Sequence, residues 1–229
     1  MKTWTVDDVM TEAVVTAGPA TSYRELVDLL VSRRFSAVPV VDEFERVTGV
    51  VSEADLLRKI EYVGDEQPRM FESRRRRGRR AKALASTAAD LMSSPPVTAR
   101  AGTPLAAAAR TMDDEDVKRL PVVDDRGRLL GIVTRCDLLK VHLRPDDEIK
   151  GEIVDGVFGR YLIGSDTSVT VTVEEGVVTL AGRADRWSTA DIARRLTRQV
   201  AGVVEVDGEL TYDIDDREML STGLGFGSA

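Results

Sequence analysis

The sequence predicts an α+β protein in which a tandem pair of βαββα units is followed by a smaller αββαβ module. Three observations carry this. A block near the start of the chain recurs at an offset of 82 positions, from Met10 to Met92. Each copy alternates apolar runs of strand length with capped segments of helical spacing. After Pro145 the pattern changes to alternating β-branched residues, a Glu-Glu-Gly turn and one more helix.

The repeat is the firmest of these. Asp7-Asp8-Val9-Met10-Thr11 is answered by Ala89-Asp90-Leu91-Met92-Ser93. From Val38 to Leu57, ten of twenty positions are identical to Leu120–Leu139 without a gap. Two copies of a unit of roughly 55 residues follow from such self-similarity. They span 3–60 and 87–144 and are joined by a connector, 61–86. In copy one, Ser22-Tyr23-Arg24-Glu25 reads as a capping box, and Leu26, Leu29 and Leu30 give its helix an apolar face. In copy two, Thr103-Pro104 sets a cap residue before a proline at the first helical position. Val38–Val41 and Leu120–Val123 suit buried strands. Glu43–Arg46 and Asp125–Arg128 turn into the next strands, Val47–Val51 and Leu129–Val133. Ser52 and Thr134 then stand where helix caps belong, ahead of Ala54–Lys59 and Cys136–His142.

In the last third, Ser168–Val173 alternates as a half-buried strand does, and Glu174-Glu175-Gly176 makes a tight hairpin into Val177–Leu180. Ser188–Val200 reads as an amphipathic helix with Ile192, Leu196 and Val200 on its apolar face, Ser188 as cap and Gly202 as stop. Val203–Leu210 reads as a final strand, and 215–229 as a disordered tail.

Composition narrows the function. One cysteine and one histidine exclude an internal disulfide and make zinc sites or Ser-His-Asp machinery untenable. Cys136 is read as a small apolar residue matching Ala54, and His142 is assigned no chemistry. The carboxylates are scattered, and no Gly-rich phosphate loop follows a strand, so an enzyme is the poorest candidate and no cofactor is required. No apolar run is long enough for a membrane span, and the acidic start lacks a signal core, which makes a cytoplasmic location the expectation. Net charge is −7, yet Arg69–Lys82 holds eight basic residues against Glu72 alone. That run is either a solvated linker or an attractor of phosphates.

The motifs Val-Met-Thr or Leu-Met-Ser, Val/Leu-Pro-Val-Val-Asp and Gly-φ-φ-Ser/Thr-x-x-Asp-Leu-Leu, in order and repeated, resemble the CBS domain. The resemblance covers about residues 3–142. It implies a pair packed about a pseudo-twofold axis, clefts for an adenosine nucleotide (AMP, ADP or ATP) as regulatory ligand, and a homodimer. Asp55 and Asp137 would hold the ribose, and the hydroxyls of Ser52 and Thr134 would meet ribose or phosphate. The backbone around Ala37, Val38 and Pro39 and around Arg119, Leu120 and Pro121 would line the base, with Thr16 and Thr98. Ser or Thr followed three residues later by Asp is equally an ordinary helix cap. Lys118 and Arg119 resemble the family's phosphate-contacting positions, where copy one has Ser36 and Ala37. The alternative is that Asp113–Asp116, just upstream, balance their charge in a solvated helix end.

Glu175-Gly176-Val177-Val178-Thr179-Leu180-Ala181-Gly182, with Gly202-Val203-Val204-Glu205-Val206 after the helix, resembles the BON domain over about 148–214. That resemblance implies binding of phospholipid, peptidoglycan or protein. The leading expectation is a non-catalytic regulatory sensor that binds an adenosine nucleotide and relays it to an unidentified protein partner through the BON domain or the dimer arrangement. The alternative is an adaptor that binds nucleic acid or an anionic membrane surface through the Arg run and the BON domain, with the CBS pair as dimerisation scaffold.

Overall fold

The structure, a computed structural model, describes residues 2–63, 78, 81–161 and 168–218. The arginine run at 74–80 therefore lies outside the described residues except for Gly78, as does the tail beyond 218. Two compact units emerge: Thr5–Leu138, and Leu139–Ala229 together with Met1–Trp4.

In the first unit, copy one supplies α1 (Tyr23–Arg33), β1 (Ala37–Val41), β2 (Val47–Ser52) and α2 (Glu53–Glu61). Copy two supplies α3 (Ala88–Leu91), β3 (Ala99–Arg100), α4 (Leu105–Asp114), β4 (Arg119–Val123), β5 (Leu129–Thr134) and α5 (Arg135–Leu139). The hairpins β1–β2 and β4–β5 share one register. Ala37 faces Ser52 as Arg119 faces Thr134, and each hairpin is irregular at the same step, Val40/Val41 and Val122/Val123. The first strand of copy one is reduced to a single parallel bridge, Ala17 to Val40, where copy two has β3 beside β4.

The copies are locked by exchanging their opening segments. Thr11 bridges Ile132 of copy two, and Ser93 bridges Val50 of copy one. The Met before each bridge lies on a glycine of the other copy: a Cβ on Gly131 would sit 2.5 Å from the Met10 Sδ, and one on Gly49 would sit 2.4 Å from the Met92 Sδ. At the axis itself Arg46 bridges Arg128, with Val47 N–H donating to Gly127 O and Leu129 N–H to Glu45 O, both at 3.0 Å. Leu26, Leu30, Val38, Val40, Val51 and Leu56 form the core of copy one, completed by Ala85 from the connector and by Ala88 and Leu91 from beyond it.

The expected box at Ser22 forms, with the Glu25 carboxylate 2.8 Å from the Ser22 N–H. Copy two differs from expectation. Helix α4 starts at Leu105, and Pro104 is its extended cap (ψ 143°) rather than its first helical residue. The reason is long-range: Thr5 bridges Pro104 and the Val6 N–H binds Thr103 O at 2.9 Å, holding the chain extended one residue longer. Cys136 is exposed rather than packed as a small core residue, as is Ala54 at the matching place.

The second unit opens with α6 (Asp146–Glu152), which continues through a π-turn (Ile153–Phe158) into α7 (Gly159–Tyr161). Then come β6 (Ser168–Glu174), β7 (Val177–Arg186), α8 (Trp187–Thr197), β8 (Glu205–Asp207) and β9 (Leu210–Ile214). Strand β7 is central: β6 pairs antiparallel on one side, while β8 and β9 run parallel to successive parts of it. Glu175 (φ 50°) and Gly176 (φ 76°) make the two-residue type I′ turn that the hairpin demands. Trp4 joins this unit, its ring approached by the Arg144 guanidinium at 5.3 Å.

Four expectations here are corrected. The final strand is two strands, because the chain breaks at Gly208 (φ 91°), where a Cβ would lie 2.3 Å from Leu180 O. Helix α8 begins at Trp187, and Ser188 is not its cap. Its N–H and hydroxyl both donate to Asp216, so a carboxylate from 28 residues downstream does the capping. Of the expected apolar face, Val200 is buried and Leu196 packs against the core, but Ile192 is only half-buried, and the most buried residues of α8 itself are Ala190, Ala193 and Thr197. Asp216 is itself buried, so the ordered chain runs past 215. Among the described residues no helix is long and apolar enough to cross a membrane.

Candidate functional site

Each hairpin delivers its second strand into a helix, and the polar residues sit at that junction. In copy one, Ser52 is the extended cap of α2. Its N–H donates to the Asp55 Oδ2 at 2.9 Å and its hydroxyl to the same oxygen at 2.7 Å, while the Asp55 N–H reaches back to the Ser52 Oγ at 3.4 Å. Copy two repeats this with Thr134 and Asp137 at 2.9, 2.7 and 3.3 Å. The capping reading is therefore true in both copies. It occupies one carboxylate oxygen of each aspartate and orients the other. In copy one that second oxygen, Oδ1, receives the Lys82 ammonium at 2.6 Å.

Beside each cap lies the first turn of a buried strand. Ala37, Val38 and Pro39 are buried opposite Ser52 to Val50, and Leu120 and Pro121 are buried opposite Val133 and Ile132. These give each cap an apolar neighbour of the kind a purine face needs. Thr16 and Thr98 are half-buried and directly precede Ala17 and Ala99, the residues that pair with Val40 and Val122. Some of the strand backbone is already committed, since Pro39 O accepts from the Ala17 N–H at 3.0 Å.

The two basic residues of copy two separate. Lys118 is exposed, whereas Arg119 is half-buried and its guanidinium crosses to copy one. There it donates to Ala37 O at 3.4 Å and to the Ser36 Oγ. Burial pushes the guanidinium below its ordinary value, opposed by the charges of Glu53 and Asp137. Arg119 thus lies between the helix starts of both copies, with Ala37 at the matching position in copy one. Sequence reasoning missed Lys82, which reads as the last cation of the connector run; the signal was the apolar stretch Ala83-Leu84-Ala85 directly after it.

The second unit holds an open groove of about 700 Å³ lined by Asp146, Thr172, Glu174, Glu175, Val177 and Thr179. The Asp146 carboxylate is spent on the hairpin, accepting the N–H groups of Glu175 at 2.8 Å and Gly176 at 3.0 Å. Among the described residues no cluster of His, Cys, Asp and Glu is arranged to hold a metal ion.

Comparison with known proteins assigns both units. The CBS domain matches residues 6–62 and 88–144, and the BON domain matches residues 146–213. The chloroplastic CBS domain-containing protein CBSX2 of Arabidopsis thaliana is 32% identical over 153 residues, covering 62% of this chain and 64% of its own length. An uncharacterised protein of Methanopyrus kandleri is 28% identical over 141 residues, with the same two shares. The chain thus spans just under two thirds of these curated relatives. The crystal structure of CBSX2 in complex with AMP is 33% identical and superposes with a TM-score of 0.54, covering 61% of this chain and 97% of that one. The chain belongs to the CBS-domain family, as a tandem CBS pair followed by a BON domain.

Proposed function

We propose that this chain is a non-catalytic regulatory protein whose CBS pair binds an adenosine nucleotide of the AMP class. The observation that carries the reading is the duplicated cap. Asp55 and Asp137 are fixed on one oxygen by Ser52 and Thr134, beside buried apolar strands, in a chain 33% identical to a CBS pair solved with AMP. A carboxylate held in this way accepts both hydroxyl protons of a ribose diol. Val38, Pro39, Leu120 and Pro121, with Thr16 and Thr98, would flank the base. Arg119 would hold phosphate by exchanging its Ser36 and Ala37 contacts for phosphate oxygens, which a guanidinium grips with two donors.

Exposed Val31, Leu57 and Ile60 on α1 and α2 suit burial in a homodimer. Nucleotide would bias one arrangement of that dimer, and the BON domain would relay the change to a protein partner. The ligand shifts the equilibrium only as far as its affinities for the two arrangements differ.

The test is isothermal titration of the full chain with AMP, ADP and ATP. Asp55→Asn and Asp137→Asn, which keep an acceptor for the cap, should each weaken binding about tenfold or more at one site, the worth of a charge-assisted hydrogen bond. The double variant should show no saturable heat. Unchanged affinity in the double variant would refute the assignment.

A further inference from the structure

One cation at the first cleft comes from neither repeat. Lys82 lies near the end of the connector, and its neighbourhood is pinned. Residues 81–84 are helical, and Ala83 and Ala85 are buried, Ala85 within the core of copy one. The Lys59 ammonium donates to Ala85 O at 3.0 Å while lying 4.7 Å from the Tyr23 ring, and the Tyr23 hydroxyl donates to Leu56 O at 3.1 Å. From this anchored backbone the Lys82 ammonium reaches the Asp55 Oδ1 at 2.6 Å and the Ser93 Oγ at 3.1 Å. The Lys82 and Asp55 side chains are only 23% and 13% exposed, so water screens the pair poorly. With the Asp55 Oδ2 taken by the Ser52 cap, both oxygens of this carboxylate are engaged.

A ribose diol entering on Asp55 must take Oδ1 and so compete with Lys82. A nucleoside would leave the ammonium in a poorly solvated place with the Ser93 hydroxyl as its remaining partner. A nucleotide brings a replacement anion. We propose that Lys82 makes the first cleft selective for phosphorylated nucleosides, handing its ammonium from the Asp55 carboxylate to the ligand's phosphate as the diol takes Oδ1. This rests on Asp55 being the ribose partner.

The experiment is titration of the full chain with AMP and with adenosine, in the wild type and in Asp137→Asn, where the first cleft alone reports. AMP should bind the first cleft about tenfold or more tighter than adenosine, the worth of one charge-assisted hydrogen bond. Lys82→Met should strengthen adenosine and weaken AMP, cutting the preference about tenfold to what Arg119 sustains, while Lys82→Arg keeps the preference and checks that the connector still packs. AMP binding that is lost in Asp55→Asn yet keeps its full wild-type preference over adenosine in Lys82→Met would overturn this proposal and spare the nucleotide reading. Tighter AMP binding in Lys82→Met would overturn it too, making the lysine a plug and nothing more. Absence of AMP binding in the wild type would overturn both.

Discussion

The exchange of opening segments makes a sharp demand on Gly131. Adding a methyl there places it 2.5 Å from the Met10 Sδ, 3.0 Å from the Met10 Cγ and 3.0 Å from Thr11 O. The thioether can swing aside, but Thr11 O is held: it accepts the Ile132 N–H at 2.9 Å, and the Thr11 N–H returns the bond to Ile132 O at 2.9 Å. Relief therefore means either overpacking, about 1–3 kcal/mol, or loss of two backbone hydrogen bonds at about 1 kcal/mol each. Gly131→Ala should cost about 2–3 kcal/mol in the first unit. Hydrogen exchange at Thr11 and Ile132 reads the bridge directly, and protection should fall about thirtyfold to a hundred-and-fortyfold, since 1.4 kcal/mol is a factor of ten. Gly131→Ala combined with Met10→Ala should still lose the protection that Gly131→Ala loses alone, because Thr11 O, the contact that cannot give, is unmoved. Wild-type protection in Gly131→Ala, or its full rescue by Met10→Ala, would refute the reasoning.

Both tryptophans, Trp4 and Trp187, belong to the second unit, so their fluorescence reports its unfolding alone. Thr197→Val should stabilise that unit by about 1–2 kcal/mol, since the Thr197 hydroxyl is fully buried without a hydrogen-bond partner among the described residues; a lower melting temperature would contradict this. Gly151→Ala, inside α6 with open space where the methyl goes, should add about 1 kcal/mol by the same readout, and a loss would mean the helix needs the glycine. The Ser188 hydroxyl and N–H hold the Asp216 carboxyl below its usual 3.8, so its contribution is complete above that pH and is lost as pH falls through the lowered value. Asp216→Asn should flatten the acid limb of the fluorescence transition, and an unaltered limb would rule the cap out as its source. Arg119→Lys keeps the charge and loses the two-pronged grip, so AMP affinity should fall about tenfold in titration; equal affinity would remove Arg119 from phosphate binding.

What was legible in the sequence was local or repeated. The boxes at Ser22 and Ser52 and the Glu175-Gly176 turn each draw on a few adjacent residues, so their chemistry is written in order along the chain. The repeat carried the fold class and the places of Asp55 and Asp137. What was hidden was set by distant chain. Asp216 caps α8 from beyond β9, Thr5 delays α4, and Leu180 O dictates the break at Gly208; no local pattern announces any of them. One miss was avoidable: at an offset of 82, Ser22, an extended cap, answers Pro104, so the repeat itself argued against a helical Pro104. The pairing of Met10 with Gly131 and of Met92 with Gly49 was also half-written, as two residues that recur together without saying that they recur in exchange.

The duplicated caps bear on how the two clefts would respond to one ligand. Their internal distances differ by no more than 0.1 Å: 2.9, 2.7 and 3.4 Å in copy one against 2.9, 2.7 and 3.3 Å in copy two. A difference in affinity between the clefts therefore originates outside the caps. One asymmetry stands closest to hand: Arg119, whose counterpart is Ala37. It places a cation toward copy one, beside the Lys82 that the connector supplies to Asp55, so the first cleft should favour the more highly charged nucleotide of any pair, and its preference should weaken with salt. In a titration with ATP and AMP, the site that disappears in Asp55→Asn should then show the larger ATP preference and the steeper salt dependence. Equal preferences at the two sites would mean that the cations serve the scaffold, joining copy to copy and connector to copy, and leave ligand choice to the shared caps.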